Sequence, residues 1–385
     1  MIDIYSYDMV PLSDFLAEYK ELNTNNRFRP VAVGRYGIRT RESIYSKELA
    51  QDYSKNKLIY KDTLTVGMGS VQMDIGILTD DITYSVSPAY HTYRINGINC
   101  DYLRFCLQAR NADMFERYKK RGSRQGKSID LKAWLHYLIP VYEIDGQLQI
   151  VSTLHKIQSI IDDRMQQLQK LDDLVKARFV EMFGDPENNS FDWKEQPLSK
   201  HLDVVGGFAF KSDQFVEEGI PVLRIGNINA GYFKPVNMVF WDNDDNLKKY
   251  KLFPGDLVMS LTGTVGKDDY GNVCILGNDY DEYYLNQRNA KLELKDSINK
   301  YYISTLLKFE SIKKKLTGIS RGIRQANISN KDILNLVVPI PNITTQIEFE
   351  QFVQQVDKSK FVESIYVLKL IKEAIAKEVS HDRIR

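Results

Sequence analysis

Two stretches of this chain set apolar side chains alternately three and four residues apart, which predicts two long helices. In the first, Leu154, Ile157, Ile161, Arg164, Leu168, Leu171, Val175, Arg178 and Met182 form an a/d seam interrupted twice by arginine. Leu148 to Met182 is 35 residues, roughly 50 Å at a rise of about 1.5 Å per residue. Gly184-Asp185-Pro186 then stops the helix. The second stretch keeps register through Val353, Val356, Lys360, Glu363, Val367, Leu370, Ala374 and Lys377, with Phe361, Ile365 and Leu368 widening the apolar face. Helices this long are uncommon as plain amphipathic core elements, and two in register are more so, so they are expected to be partners in a coiled coil. Their contact would be made by Leu154, Ile157, Ile161, Arg164, Leu168 and Leu171 on one helix and Val353, Val356, Glu363, Val367 and Leu370 on the other. Arg164 and Glu363 occupy equivalent polar breaks and are expected to pair.

The shared register belongs to a larger repeat. Ile98-Asn99, Tyr102-Leu103, Leu107 and Arg124-Gln125 recur 200 residues later as Ile298-Asn299, Tyr302-Ile303, Leu307 and Arg324-Gln325. At an offset of 199, Leu138-Ile139-Pro140-Val141 answers Val337-Val338-Pro339-Ile340, and Gln147 answers Gln346. The chain is read as a tandem duplication of two large modules, with two related but non-identical surfaces. Each half opens similarly, Val10-Pro11-Leu12-Ser13 against Gln196-Pro197-Leu198-Ser199, and continues in short strand-like segments punctuated by Gly and Tyr. A helix-like stretch follows (about 101–119 and 300–316), then a Gly-Arg-Gln loop, an apolar run into a proline, and the long helix. The fold class is therefore α+β with a pseudo-twofold repeat: a first mixed α/β domain over 1–140, a helix over 141–185, a second domain over 186–340 and a second helix over 341–385.

A chain of 385 residues with 43% hydrophobic and 27% charged content can bury two cores and is neither disordered nor membranous in composition. The start Met1-Ile2-Asp3-Ile4-Tyr5 carries no signal pattern, so a cytoplasmic location and no membrane contact are expected. Cys100, Cys106 and Cys274 are scattered and odd in number, which suggests packing residues and neither disulfides nor a zinc site. The net charge of +1 announces no nucleic-acid binder, so any basic surface must be local. The first long helix carries five acidic and five basic residues between Lys156 and Glu181, a mixture that suits protein contacts and not phosphates.

Catalytic patterns are missing. Gly263-Thr264-Val265-Gly266-Lys267-Asp268 falls short of a P-loop, because Leu261 stands where glycine is needed and Asp268 where Ser or Thr is needed. The five histidines are separated, and no Asn- or Asp-Pro-Pro-aromatic segment exists for holding a flipped adenine. No metal ligands and no catalytic residues are assigned. Local basicity remains. Lys119-Lys120-Arg121-Gly122-Ser123-Arg124-Gln125-Gly126-Lys127 is matched by Lys313-Lys314-Lys315 with Arg321-Gly322-Ile323-Arg324-Gln325, each a basic helix end before a Gly-hinged Arg-Gln loop. Arginine forks onto guanine or phosphate and glutamine pairs with adenine, so these loops suit DNA. The plain alternative is a solvated helix terminus whose lysines complement the dipole. Arg35, Tyr36, Arg39, Arg41, Ser70 and Gln72 are further candidates in the first half; Phe210, Lys211, Ser212, Arg224, Asn227, Thr262, Thr264, Lys267 and Arg288 are candidates in the second.

With these residues assembled, the chain resembles the DNA-specificity subunit of type I restriction-modification systems over its whole length. The resemblance is carried by the alternation of domain and long helix and by Phe179-Val180-Glu181-Met182-Phe183-Gly184-Asp185. It also rests on Gly207-Phe208-Ala209-Phe210-Lys211-Ser212, on Gly255-Asp256-Leu257-Val258, and on the proline-plus-glutamine lead into each helix. The first half departs from this pattern, having Lys61-Asp62-Thr63-Leu64-Thr65-Val66 in place of Gly-Asp-Leu-Val and no Gly-Phe-Lys-Ser segment. The resemblance implies two target-recognition domains that each read half of a bipartite, asymmetric double-stranded DNA target, separated by two antiparallel coiled-coil spacer helices. It further implies two methyltransferase subunits and restriction-translocase subunits as partners. No cofactor is then bound by this chain: S-adenosylmethionine belongs to the methyltransferase partner, and ATP and Mg to the restriction partner. A pseudo-symmetric protein-interaction scaffold without DNA binding is the alternative function, and a self-contained methyltransferase is a third.

Overall fold

The computed structural model describes residues 7–34, 37–43, 52–121, 127–264, 269–318 and 325–360. The chain divides between Asp162 and Asp163 into two compact units. Unit one is built on a four-stranded antiparallel sheet in the order Leu16–Tyr19, His91–Ile95, Thr63–Met68, Met73–Leu78. Unit two has the sheet order Leu202–Gly206, Asn289–Leu294, Leu257–Ser260, Val273–Ile275, again antiparallel throughout. Thr63–Met68 and Leu257–Ser260 are buried on both faces, which is why they read as continuous apolar or β-branched runs.

The core of unit one gathers Leu64, Met73, Tyr93, Leu103, Leu107 and Trp134. That of unit two gathers Leu257, Met259, Leu292, Ile303, Ile333 and Val338, joined by Phe179 and Phe183 from the long helix. Each helix expected near 101–119 and 300–316 is broken in two: Cys100–Ala109 with Asn111–Tyr118, and Lys300–Leu306 with Glu310–Thr317. The breaks re-aim the second helix, so that Met114 and Phe115 in one unit, and Ile312 and Leu316 in the other, reach the core.

One local device occurs in both units. Gln147, 3% exposed, accepts from the Asn99 N–H (2.9 Å) and donates to the Tyr142 carbonyl (2.8 Å). Gln346, fully buried, accepts from the Asn299 N–H (2.8 Å) and donates to the Pro341 carbonyl (2.8 Å). Asn99 and Asn299 are themselves N-caps of the helices they precede. Tyr102 and Tyr302 add hydroxyl bonds to the carbonyls of Pro140 (2.7 Å) and Pro339 (2.8 Å). The recurring Asn, Tyr, Pro and Gln are thus a clamp joining domain to helix.

The long helix runs Ile144–Phe183, 40 residues, starting four residues before Leu148. It ends where Gly184 adopts φ +80° and its N–H reaches the Val180 carbonyl at 2.8 Å. Every seam residue from Leu154 to Met182 is half-buried or buried, while most residues between them are exposed. A second helix occupies 343–360, burying Gln346, Phe349, Val353 and Val356. In unit two the helices touch through Asp172 with Lys360 (2.6 Å), Arg178 over Phe352 (5.7 Å) and Phe183 with Phe349 (5.4 Å). As one number rises the other falls, so the two run in opposite directions there. Arg164 donates to Gln167 on its own helix at 2.6 Å. Its expected partner Glu363, like Val367 and Leu370, lies outside the described residues.

Candidate nucleic-acid interface

In unit two, segments far apart in sequence converge on one turn. Residues Asn286–Asn289 form a β-turn closed by the Asn289 N–H on the Asn286 carbonyl (2.9 Å). Gln287 donates its N–H to the Phe208 carbonyl (2.9 Å), and the Arg288 carbonyl accepts from the Leu261 N–H (2.8 Å). Leu261 in turn accepts from the Ile328 N–H (2.8 Å). Beyond it, Thr262–Thr264 pairs antiparallel with Gln325–Asn327, setting Thr264 opposite Gln325. The Asn289 amide donates to the Leu223 carbonyl (2.8 Å), which holds the start of the Arg224–Asn227 turn against the same place. The segments at Gly207, Thr262, Gln325–Asn327 and Gln287-Arg288 are therefore neighbours, a fact that sequence order conceals.

Packing explains Gly207. A Cβ there would lie 2.2 Å from the Asn286 carbonyl oxygen, so glycine is what permits the segment to lie against the turn. Phe210 sits in an aromatic cluster with Trp241 (5.0 Å) and Tyr284 (5.6 Å) and is 8% exposed. Asn227 spends its whole amide internally, accepting from Arg224 N–H and donating to the carbonyls of Lys234 and Val236 at 3.0 Å each. Arg224 donates to the Asn237 carbonyl. Thr262, 8% exposed, bonds Asn327 (2.9 Å). Lys211, Ser212, Thr264 and Arg288 are exposed. Lys313 donates to Asn272 (2.6 Å) and Lys314 pairs with Glu310 (2.6 Å).

In unit one, the strand after the Arg-Gln loop turns back on the strand before it: Lys119–Arg121 pairs with Lys127–Ile129 as a hairpin. Lys120 reaches Asp130 (2.5 Å), and that contact holds the Asp130 carboxyl below the usual carboxylate range. Arg39 is exposed on the hairpin Val31–Gly34 with Gly37–Thr40. Arg41 stacks over Tyr53 (5.3 Å), leaving its buried Nε without a hydrogen-bond partner. Ser70 is exposed and Gln72 half-buried, in the loop between Thr63–Met68 and Met73–Leu78. Arg35, Tyr36, Arg124, Gln125, Lys267, Arg321 and Arg324 lie outside the described residues; of Arg121, Lys127 and Gln325 only the backbone is described.

Burial pushes the thiols of Cys100 and Cys274 up to about 12, so neither is a thiolate near neutrality. No cluster of His, Cys, Asp or Glu suited to a metal occurs among the described residues. No helix of those residues is long and apolar enough to cross a membrane.

A family model described as the type I restriction modification DNA specificity domain matches residues 191–366, which include the whole convergent surface of unit two. Over that span the chain is similar to the type I restriction-modification DNA-specificity family. It is 26% identical over 279 residues to the type I restriction enzyme MjaVIII specificity subunit of Methanocaldococcus jannaschii, covering 66% of this chain and 63% of that one. It is 24% identical over 199 residues to the StySPI specificity subunit of Salmonella potsdam, covering 48% and 41%. The matched region thus spans less than two thirds of these relatives. Among solved structures, a chain from a type I R-M system complex shares 16% identity and a TM-score of 0.48 over 95% of both chains.

Proposed function

We propose that this chain is the non-catalytic, sequence-reading subunit of a cytoplasmic type I restriction-modification system. Each unit reads one half of a bipartite, asymmetric double-stranded DNA target, and the helices pair as an antiparallel coiled-coil spacer between the two target-recognition domains. The observation that carries this reading is the coincidence of the specificity-domain match with the surface around Gln287 and Arg288. Hydroxyl, amide, guanidinium and ammonium groups are exposed there on backbone held by a rigid sheet, as base and phosphate recognition requires.

The chain also scaffolds two methyltransferase subunits and the restriction-translocase subunits. Met165 (65% exposed), Leu174 (47%) and Val180 (39%) lie off the seam on the long helix as separate exposed apolar side chains that such partners can cover. S-adenosylmethionine, ATP and Mg are bound by those partners, and methyl transfer to adenine takes place on the methyltransferase.

A scaffold that touches no nucleic acid is the second reading, favoured by the partial neutralisation of the basic helix ends, where Lys119 meets Glu116 and Lys120 meets Asp130. Binding of duplex DNA by the complex with its methyltransferase, followed against salt, separates the two. DNA recognition predicts a steep linear fall of log affinity with log salt. A flat dependence selects the scaffold. Within the first reading, Arg124→Ala and Arg324→Ala each weaken binding through their own half-site.

A further inference from the structure

We infer that the Asn286–Asn289 turn is the base-reading element of unit two, with Arg288 taking a guanine edge and Gln287 an adenine edge in the major groove. The equivalent turn of unit one has no such role. This rests on the reading of the chain as a DNA-specificity subunit, and it assigns the reading to two neighbouring side chains.

The first argument is availability. Among the candidates of unit two, Asn227, Arg224 and Thr262 are committed to internal hydrogen bonds and Phe210 to the core, and Lys211, Ser212 and Thr264, though exposed, lack the planar two-point edge that reads a base bidentately. Gln287 and Arg288 are both exposed, and neither side chain has a hydrogen-bond or ion-pair partner among the described residues. An arginine fork matches guanine O6 and N7, and a glutamine amide matches adenine N6 and N7.

The second is rigidity, which a base reader needs. The turn is pinned on three sides by the backbone bonds to Phe208 and Leu261 and by its own closure. The buried Asn286 accepts from the Arg288 N–H (3.3 Å), and the fully buried Asn289 ties the turn to Leu223. The asparagines are positioning residues.

The third is contrast. In unit one the corresponding turn, between strands Tyr84–Val86 and His91–Ile95, is closed by the Tyr90 N–H on the Ser87 carbonyl (3.1 Å). Its two central residues are Pro88 and Ala89, whose side chains can neither donate nor accept. The half-sites are therefore read by different parts of related sheets.

The test is methylome sequencing of cells carrying the full complex with wild-type chain, Arg288→Ala, Arg288→Lys or Gln287→Ala. Arg288→Ala is expected to relax one guanine position of one half-site by roughly 5- to 150-fold and leave the other half-site intact. Arg288→Lys, which keeps the charge but loses the fork, should relax the same position. Gln287→Ala should relax an adenine position of that half-site. Ala89→Ser should change neither. Overturning results are an unchanged target in the Arg288 and Gln287 variants, or uniform loss over all sequences with a salt slope reduced by about one, which marks a phosphate contact. A wild-type complex that methylates no defined sequence would instead overturn the functional reading on which the inference rests.

Discussion

The two Arg-Gln loops share a sequence signature and stand on different strand pairings. In unit one the strand that follows the loop folds back onto the one before it, Lys119–Arg121 with Lys127–Ile129. In unit two the following strand, Gln325–Asn327, leaves its own helix and pairs with Thr262–Thr264, more than sixty residues away in sequence. That exchange ties Gln325–Asn327 to the Thr262 and Gln287-Arg288 segments, while the unit-one hairpin stays beside Asp130. Two four-stranded sheets of like order can thus carry unlike margins, because the strands beside them pair differently.

Three experiments sharpen the comparison, and the largest effect is expected where the units agree. Gln346→Ala leaves the Asn299 N–H and the Pro341 carbonyl unpaired in the interior, at about 1–3 kcal/mol per group. A loss of about 2–6 kcal/mol is expected in denaturant unfolding, and Gln147→Ala should do the same through Asn99 and Tyr142. If only one variant is destabilised, the shared clamp is not a shared support.

A smaller effect separates the units. A Cβ on Gly207 would meet the Asn286 backbone at 2.2 Å, whereas one on Gly67 would meet the Tyr90 ring at 2.3 Å. Moving the Tyr90 ring strains one hydroxyl bond, to the Val33 carbonyl (2.8 Å), whereas moving the turn strains several backbone bonds, so Gly207→Ala should cost about 1–3 kcal/mol. Gly67→Ala should cost less. Equal costs would show that the turn yields as readily as a side chain.

The smallest effect concerns His201, which stands where unit one has Phe15, each three residues after the corresponding leucine, Leu198 or Leu12. Burial, with Lys200 and Lys295 nearby, holds the imidazole below its ordinary value of 6.5, and its Nε2 is buried without a partner. The unfolded chain therefore binds the proton more readily. Stability from this group is complete above about pH 6.5 and is lost as pH falls through that value toward the lower folded value. His201→Phe should flatten the fall in urea midpoint between about pH 7.5 and 5.5. An undiminished slope would place the titration elsewhere.

How much of this was legible depended on distance along the chain. The helix seam could be read directly, since burial on a helix recurs every three to four residues and Leu154 through Met182 keep that beat in the structure. The recurring Asn, Tyr, Pro and Gln marked the clamp without disclosing its purpose, because Asn99 and Gln147 meet only once the domain has folded. Partnering at the sheet margin is non-local, so Thr264 opposite Gln325 could not be anticipated. Side-chain chemistry alone does not tell a free group from a committed one: the amide of Asn227 and the hydroxyl of Thr262 serve internal hydrogen bonds. Asn286 and Asn289, which hold the exposed turn, carried no signal beyond being amides beside Gln287-Arg288.

The central claim, that two unlike units of one chain read two halves of a DNA target, is tested most directly by single-molecule methylome sequencing of cells expressing this chain with its methyltransferase. The account predicts methylated adenines in two dissimilar short half-sites separated by a gap of constant length and free sequence. A continuous or palindromic motif, or methylation without any sequence preference, would contradict it.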